Sequence, residues 1–353
     1  MRIDVQKEQS VFVFPVLSMQ YTRYFLIAGV LPLLLVMALG WYVQPLTGDL
    51  TRLGRLPERD FGWNSPQFSE RVMLRDPQAK PTVAVLGDSF SERNIWQSIA
   101  MAQLGVSFVS FDWAGVGSAN CIAQWIAAVH KAYPSVRVVL VETVERMFVE
   151  RFAAPAVDCQ NLRQLAEIAY EAGKTPVGRL TGWQLTLPDI AYAWKAALST
   201  GHSFEHAARR GSVYIAPLIR RDLFSSKRSD LLLLYEDDLQ KWNWQSTDLQ
   251  FGTQRIHGLQ LAARVSGLKF VIIVVPDKST AYAAYLRRPL FDKPPLDVWK
   301  ALADRNIEQI DIRQALSSAM PGKIDLYLPN DTHFGIAGYR ILGDEVAIAF
   351  STY

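Results

Sequence analysis

Short runs dominated by Val, Ile and Phe, separated by segments of helical length, predict an α/β fold built on a parallel sheet. Two features make the arrangement doubly wound. The first three runs alternate with helix-compatible stretches, and an apolar pattern with helical spacing closes the chain. With 353 residues, half of them hydrophobic, the chain is long enough for a substantial core. The formal net charge is only +3 and no block of like charge occurs, which argues against a nucleic-acid groove or a polybasic lipid tether.

Taken in order, residues 1–23 form an N-terminal segment, and Tyr24 to Val43 (YFLIAGVLPLLLVMALGWYV) carry no charge over the ~20 residues that a bilayer-crossing helix needs. This stretch is expected to be a transmembrane anchor kinked at Pro32, with Trp41 and Tyr42 at headgroup level. A cleaved signal peptide is the rival, because Ala38-Leu39-Gly40 supplies small residues; the length of the preceding segment favours an uncleaved anchor. Arg2, Lys7 and Arg23 flank one side and Arg52, Arg55 and Arg59 the other, so charge leaves the orientation open.

Residues 44–80, rich in Pro, Gly, Arg and Asp, are expected to be a linker, with the folded domain spanning 81–353. Within it, Pro81 to Gly87, Val106 to Trp113, Val136 to Thr143 and Leu268 to Pro276 are predicted strands. Arg93 to Leu104 and Cys121 to Ala132 are helix-compatible, Arg305 to Asp311 is a weaker last strand, and Gly335 to Phe350 is the closing helix. From about 149 to 263 the alternation breaks. That stretch, with Trp183, Trp194, Trp242 and Trp244, is expected to be a largely helical insertion. The two cysteines, Cys121 and Cys159, lack C-x-x-C spacing; buried free thiols are expected, and a disulfide is the alternative in an oxidising compartment.

Ser89 follows the first strand in VAVLGDSFSERNIW. In a doubly wound sheet the C-terminal strand ends form the ligand crevice, so its hydroxyl is placed where N–H groups of a following helix can stabilise an oxyanion. Gly-Asp-Ser is also ordinary turn composition, so the serine needs a base to be a nucleophile. Of five histidines, His333 in LPNDTHFGIAGY has Asp331 two residues before it, where a carboxylate can hold one imidazole nitrogen. His130, His202, His206 and His257 have no comparable setting. Without the serine motif, Asn330, Asp331 or Thr332 would read as a helix cap.

GDSFS near the first strand and D-T-H before the last helix together resemble the SGNH, or GDSL-type, hydrolase superfamily. The resemblance implies a flavodoxin-like SGNH hydrolase fold with Ser89 as nucleophile, His333 as general base and Asp331 as its orienter. It also implies an oxyanion hole from the Ser89 N–H and Gly115, with Gly117 as the alternative. The chain departs from the superfamily where Gly-x-Asn-Asp is expected after the third strand; it has VETVERMF instead, and Asp331 and His333 are two apart rather than three. Glu142 to Arg146 (E-x-x-E-R), the D-T-H loop and the P-x-K of VVPDKSTAYAAYL resemble the alginate O-acetyltransferase branch, over about 81–148 and 268–353. In some alginate enzymes of that branch the D-T-H element precedes the serine; here it follows.

This branch implies a bacterial inner-membrane, single-pass enzyme with its catalytic domain in the periplasm. It would O-acetylate an alginate- or cellulose-type exopolysaccharide through an acetyl-serine, with no cofactor and no metal. The acetyl donor would come from a membrane-bound acetyl-transfer protein within a polysaccharide synthesis and secretion complex. Lys278, Glu145 and Arg146 are then expected near substrate, although helix capping by Ser279 or Thr280 and an internal ion pair explain the same residues. Trp113, Trp242 and Trp244 are expected as a sugar shelf, with burial in the core as the alternative. A membrane-tethered acetylesterase and a non-catalytic polysaccharide-binding scaffold are the other two functions considered.

Overall fold

A computed structural model describes residues 19–42, 48–66, 80–155, 159, 169 and 207–351. Its centre is a five-stranded parallel sheet of β1 (Pro81–Gly87), β2 (Ser107–Asp112), β3 (Val138–Val144), β7 (Lys269–Val275) and the short β8 (Gln309–Ile310), in the order β2-β1-β3-β7-β8. Counted within this sheet, that is the flavodoxin-like order, whose switch point lies between β1 and β3.

Successive residues of β1 enter opposite cores. Val83 and Val85 face one, with α1 (Ile95–Leu104) and α4 (Ile336–Phe350); Ala84 and Leu86 face the other, with α2 (Ile122–Ala132) and α3 (Ser246–Val265). Burial on both faces is why the strands read as unbroken apolar runs. The strands and helices expected from the sequence are all present, with ends shifted by a few residues.

Three expectations change. The stretch from 149 to 263 is not largely helical over its described part, because β4 (Ala208–Arg210), β5 (Val213–Pro217) and β6 (Leu231–Tyr235) form an antiparallel sheet. VYIAP and LLLLY are too short to be helices, and alternate residues serve different cores. Ile215 and Leu233 pack with Leu50, Leu56 and Phe61, while Ala216 and Leu232 join the main core. Trp183, Trp194, His202 and His206 lie outside the described residues.

Residues 48–66 are not a free linker. Two short helices, Asp49–Gly54 and Glu58–Phe61, bury Leu50, Leu56 and Phe61 against β5 and β6. The cysteines, expected as free thiols, form a disulfide, Cys121–Cys159, with Cα atoms 5.4 Å apart.

The N-terminal apolar stretch is helical through Met19–Phe25, a π-helical turn Leu26–Val30, and Leu31–Tyr42. Among the described residues, no single helix is long and apolar enough to cross a membrane.

α4 crosses α1 at Gly343, where an added Cβ would lie 2.7 Å from the Ile99 side chain and 2.9 Å from the Trp96 carbonyl oxygen. Gly343→Ala is expected to destabilise the domain by about 1–3 kcal/mol through overpacking. Denaturant unfolding measures it; an unchanged midpoint would mean that the helices separate freely.

Candidate active site

Ser89 sits in the turn that follows β1, at the switch point, and its side chain is exposed. The glycine before that turn is required by space. A Cβ on Gly87 would collide with the Ser91 side chain and lie 2.9 Å from Glu142 Oε2. Asp88 then shapes the turn. Its Oδ1 accepts the Phe90 N–H at 3.1 Å, its Oδ2 accepts the Val144 N–H at 3.0 Å, and its carbonyl accepts the N–H groups of Ser91 and Glu92.

The following helix, α1, begins at Ile95, two residues after the expected start at Arg93 and beyond the turn that holds Ser89. With the next three N–H groups taken by Asp88, the Ser89 N–H has no acceptor among the described residues and is open to an oxyanion. Gly115 is buried in the helical turn Trp113–Val116 and does not line the hollow beside Ser89; Gly117 does, at φ 78°, but its N–H donates to the Trp113 carbonyl.

His333 reaches Ser89 from a hairpin tip. Tyr327 and Phe334 pair across the strands, and the Leu328 N–H donates to the His333 carbonyl at 2.9 Å. His333 Nε2 lies 2.7 Å from Ser89 Oγ and Nδ1 lies 2.6 Å from Asp331 Oδ1. The Phe90 ring packs 5.1 Å from the imidazole and holds its plane. Burial acts to raise Asp331, but the His333 hydrogen bond and charge and the N–H groups of His333 and Asp49 outweigh it and bring Asp331 down to about 2. The carboxylate therefore stays charged and fixes the imidazole tautomer with Nε2 facing the hydroxyl. Such a relay can deprotonate the serine for acyl transfer. Asp49, Asp331 and His333 offer ligand atoms within 4.8 Å of one another, but both ring nitrogens are already engaged by Asp331 and Ser89.

Lys278 is not positioned to touch substrate. It is 1 % exposed, and its ammonium donates to the carbonyls of Leu328 (2.9 Å), Asp331 (3.1 Å) and Pro329 (3.2 Å). Burial pushes it down to about 7, while Asp331, Asp238 and Asp325 act the other way; three carbonyls match the three N–H groups of the charged form.

Glu145 and Arg146 are also turned inward. Glu145 accepts from Lys241 at 2.7 Å and Thr280 at 2.9 Å, and Arg146 bridges Asp238 at 3.0 Å and Asp277 at 2.9 Å. This ionic cluster joins the ends of β3 and β7 to the 3-10 segment Glu236–Asn243. Burial raises Asp277 to about 7, with Asp238 adding to the shift.

The tryptophans do not form a shelf. Trp113 lines the hollow but is 6 % exposed, with Arg151 stacked 4.7 Å from its ring. Trp242 packs on Phe291 and donates to the Lys293 carbonyl, and Trp244 packs toward Phe148.

Sequence reasoning missed the polar layer beneath the serine. Glu142 Oε2 accepts the Asp88 N–H at 3.1 Å and the Ser91 hydroxyl at 2.8 Å, and Arg151 reaches Asp88 Oδ2 at 2.9 Å. Burial and the adjoining Asp88 push Glu142 well above the usual carboxylate range, against the Ser91 hydrogen bond and the Arg151 charge. Burial would raise Asp88, but Arg151 and two backbone N–H groups keep it below its ordinary value. The one available signal was the second serine of GDSFS, facing E-x-x-E-R across the switch point.

Residues 230–352 match the family model ALGX, the SGNH hydrolase-like domain of the acetyltransferase AlgX. That match supports an SGNH hydrolase-like, alginate O-acetyltransferase-like assignment for this region of the chain. The SGNH hydrolase-like match spans Lys278, Asp331 and His333, and the fold adds Ser89 from outside it. No curated protein matches the chain. The match supports an acetyltransferase or esterase-like function in general, and a mixed α/β fold around a parallel sheet agrees with it.

Asp331→Asn is expected to lower Ser89-dependent ester cleavage by about 10³–10⁴-fold by releasing the wrong tautomer. Its stability also carries a sign. A carboxyl held at about 2, below the ordinary 3.8, contributes at higher pH and is lost as pH falls through about 2. Denaturant titrations between pH 5 and pH 2 should show wild type losing about 2 kcal/mol that the Asn variant never had.

Lys278→Met withdraws the ammonium from three carbonyls, of which, among the described residues, only that of Leu328 keeps another donor, the Asp331 N–H, and is expected to cost about 3 kcal/mol or more in stability. Its kcat for ester cleavage should fall while KM changes little. Normal turnover in this variant would show that the loop holds itself.

Proposed function

We propose that this protein is a membrane-anchored exopolysaccharide O-acetyltransferase working through an acetyl-serine. The observation that carries the reading is the unbroken relay Ser89–His333–Asp331, opening on a hollow of about 320 Å³ at the sheet's switch point. In the first half-reaction His333 Nε2 takes the Ser89 proton, Oγ attacks the donor acetyl carbonyl, and the tetrahedral oxyanion meets the Ser89 N–H. The intermediate collapses, the leaving group takes the proton from His333, and acetyl remains on Oγ. In the second half-reaction His333 removes a proton from a sugar hydroxyl, which attacks the acetyl-serine; Ser89 leaves with that proton and the sugar ester is formed.

The surroundings support a setting outside the cytoplasm. A disulfide persists in oxidising compartments such as the periplasm, and the uncharged stretch Tyr24 to Val43 suits an inner-membrane anchor. Phe25, Leu26, Ile27, Leu31 and Leu34 on its helices are all exposed, which suits lipid contact. An anchored enzyme would receive acetyl from a membrane-bound partner in the polymer secretion complex.

Acetylester hydrolysis is the second reading, favoured by the exposure of Ser89, which leaves water a path to the acyl-enzyme. The complete relay argues against a catalytically silent scaffold.

The full-length protein, offered a chromogenic acetyl ester with oligosaccharide acceptors, is expected to place acetate on sugar. Ser89→Ala should lower both cleavage and transfer by about 10³-fold or more. Acetate released only to water would move the assignment to esterase; equal activity in a folded Ser89→Ala would remove the serine from the reaction.

A further inference from the structure

The exposed aromatic ring that the three tryptophans failed to supply lies elsewhere. Phe251 on α3 is 64 % exposed. Its neighbour Gly252 seats the helix against Phe148, where an added Cβ would lie only 3.1 Å from that ring. This close packing fixes the rotation of α3. Phe251, Gln254 and Arg255 then form one wall of a second hollow, of about 450 Å³, whose other wall is Ala153 to Pro155.

The two hollows adjoin. Ala154 and Pro155 line both this second hollow and the one that contains Ser89, so they form a low divide between adjoining spaces. Arg255 fixes the divide by donating to the Ala154 carbonyl at 2.7 Å. Both volumes fall in the range that holds small ligands.

The chemistry of the second hollow is mixed in a particular way. A pyranose ring has an apolar C–H face and a rim of hydroxyls; an exposed phenyl ring suits the first, and an amide and a guanidinium suit the second. The hollow's lining, Ala153 to Pro155 and Phe251 with Gln254 and Arg255 at its edge, offers an apolar floor beside two polar side chains.

We propose that Phe251, Gln254 and Arg255 form a remote subsite for a glycan chain, holding one unit of the acceptor while a unit across the Ala154–Pro155 divide presents its hydroxyl to Ser89. The inference rests on the glycan-acceptor reading above and adds the residues that hold the chain away from the reacting unit. Phe251 is a binding residue, remote from the reacting atoms.

The test uses the full-length protein with cello-oligosaccharides and, in parallel, mannuronate oligomers, each as dimer and hexamer. Wild type is expected to transfer acetate to the hexamer of one series about tenfold better than to its dimer. Phe251→Ala should reduce that preference to within about twofold, Phe251→Trp should keep it, and chromogenic ester cleavage should be unchanged in both. The variants alter an exposed side chain, so folding is not at stake. Direct binding to Ser89→Ala, with and without Phe251→Ala, is followed by saturation-transfer NMR and should show the same length preference.

The outcomes separate the two readings. Serine-dependent transfer that is equal on dimer and hexamer, or a length preference that survives Phe251→Ala, overturns the subsite and leaves the transferase. Phe251-dependent hexamer binding without serine-dependent acetate on sugar keeps the subsite and sinks the transferase. Absence of oligosaccharide binding and transfer in both series also overturns the subsite.

Discussion

The three hydrogen bonds from the Lys278 ammonium hold the loop on which the catalytic geometry depends. The carbonyls of Leu328, Pro329 and Asp331 converge on one buried ammonium. Buried carbonyls without donors are costly, so this cation and the loop conformation require each other. From the other side the loop is gripped by the segment that follows the N-terminal helices. Leu50 N–H donates to the Asn330 carbonyl, the Asn330 amide donates to Glu58, and Asp49 N–H reaches the Asp331 carboxylate. His333 therefore meets Ser89, 244 residues away, from a doubly braced hairpin rather than from a free loop.

Beneath the nucleophile a different solution operates. The position where the superfamily resemblance implies a Gly-x-Asn-Asp block is occupied by the buried Glu142, serving as an acceptor for the Asp88 N–H and the Ser91 hydroxyl. Burial and the neighbouring Asp88 shift Glu142 toward its neutral form, while the charge of Asp88 is matched by Arg151. Together these residues tie the turn after β1 to the end of β3, across the switch point where a crevice must form.

Much of the fold was legible because a parallel sheet buried on both faces leaves little choice of side chain. Pro81 to Gly87 and Lys269 to Val275 could hardly be anything else. The Ser89, Asp331 and His333 constellation was legible because its chemistry restricts residue type and its two halves lie at recognisable places beside the first strand and last helix. Where charged residues were concerned, the reading failed in a consistent direction. Glu145, Arg146 and Lys278 were expected near substrate, yet each satisfies a buried partner. Sequence marks such a residue as unusual among apolar neighbours without saying which way it points. The tryptophans failed similarly, for an indole buried under Arg151 and one open to a sugar have the same letter.

The sequence by itself determined the parallel α/β architecture, the serine at the end of its first strand and the acid–base pair before its last helix. These follow from local periodicity and from residue chemistry, both of which are properties of short stretches of chain. Tertiary structure alone decided that residues 48–66 brace the active-site loop and that Cys121 pairs with Cys159. It alone decided that Lys278 holds carbonyls and that Phe251 remains exposed beside the catalytic hollow. Each of those depends on contacts between segments far apart in sequence, where burial and the need to satisfy every buried polar group select among partners that local sequence cannot rank.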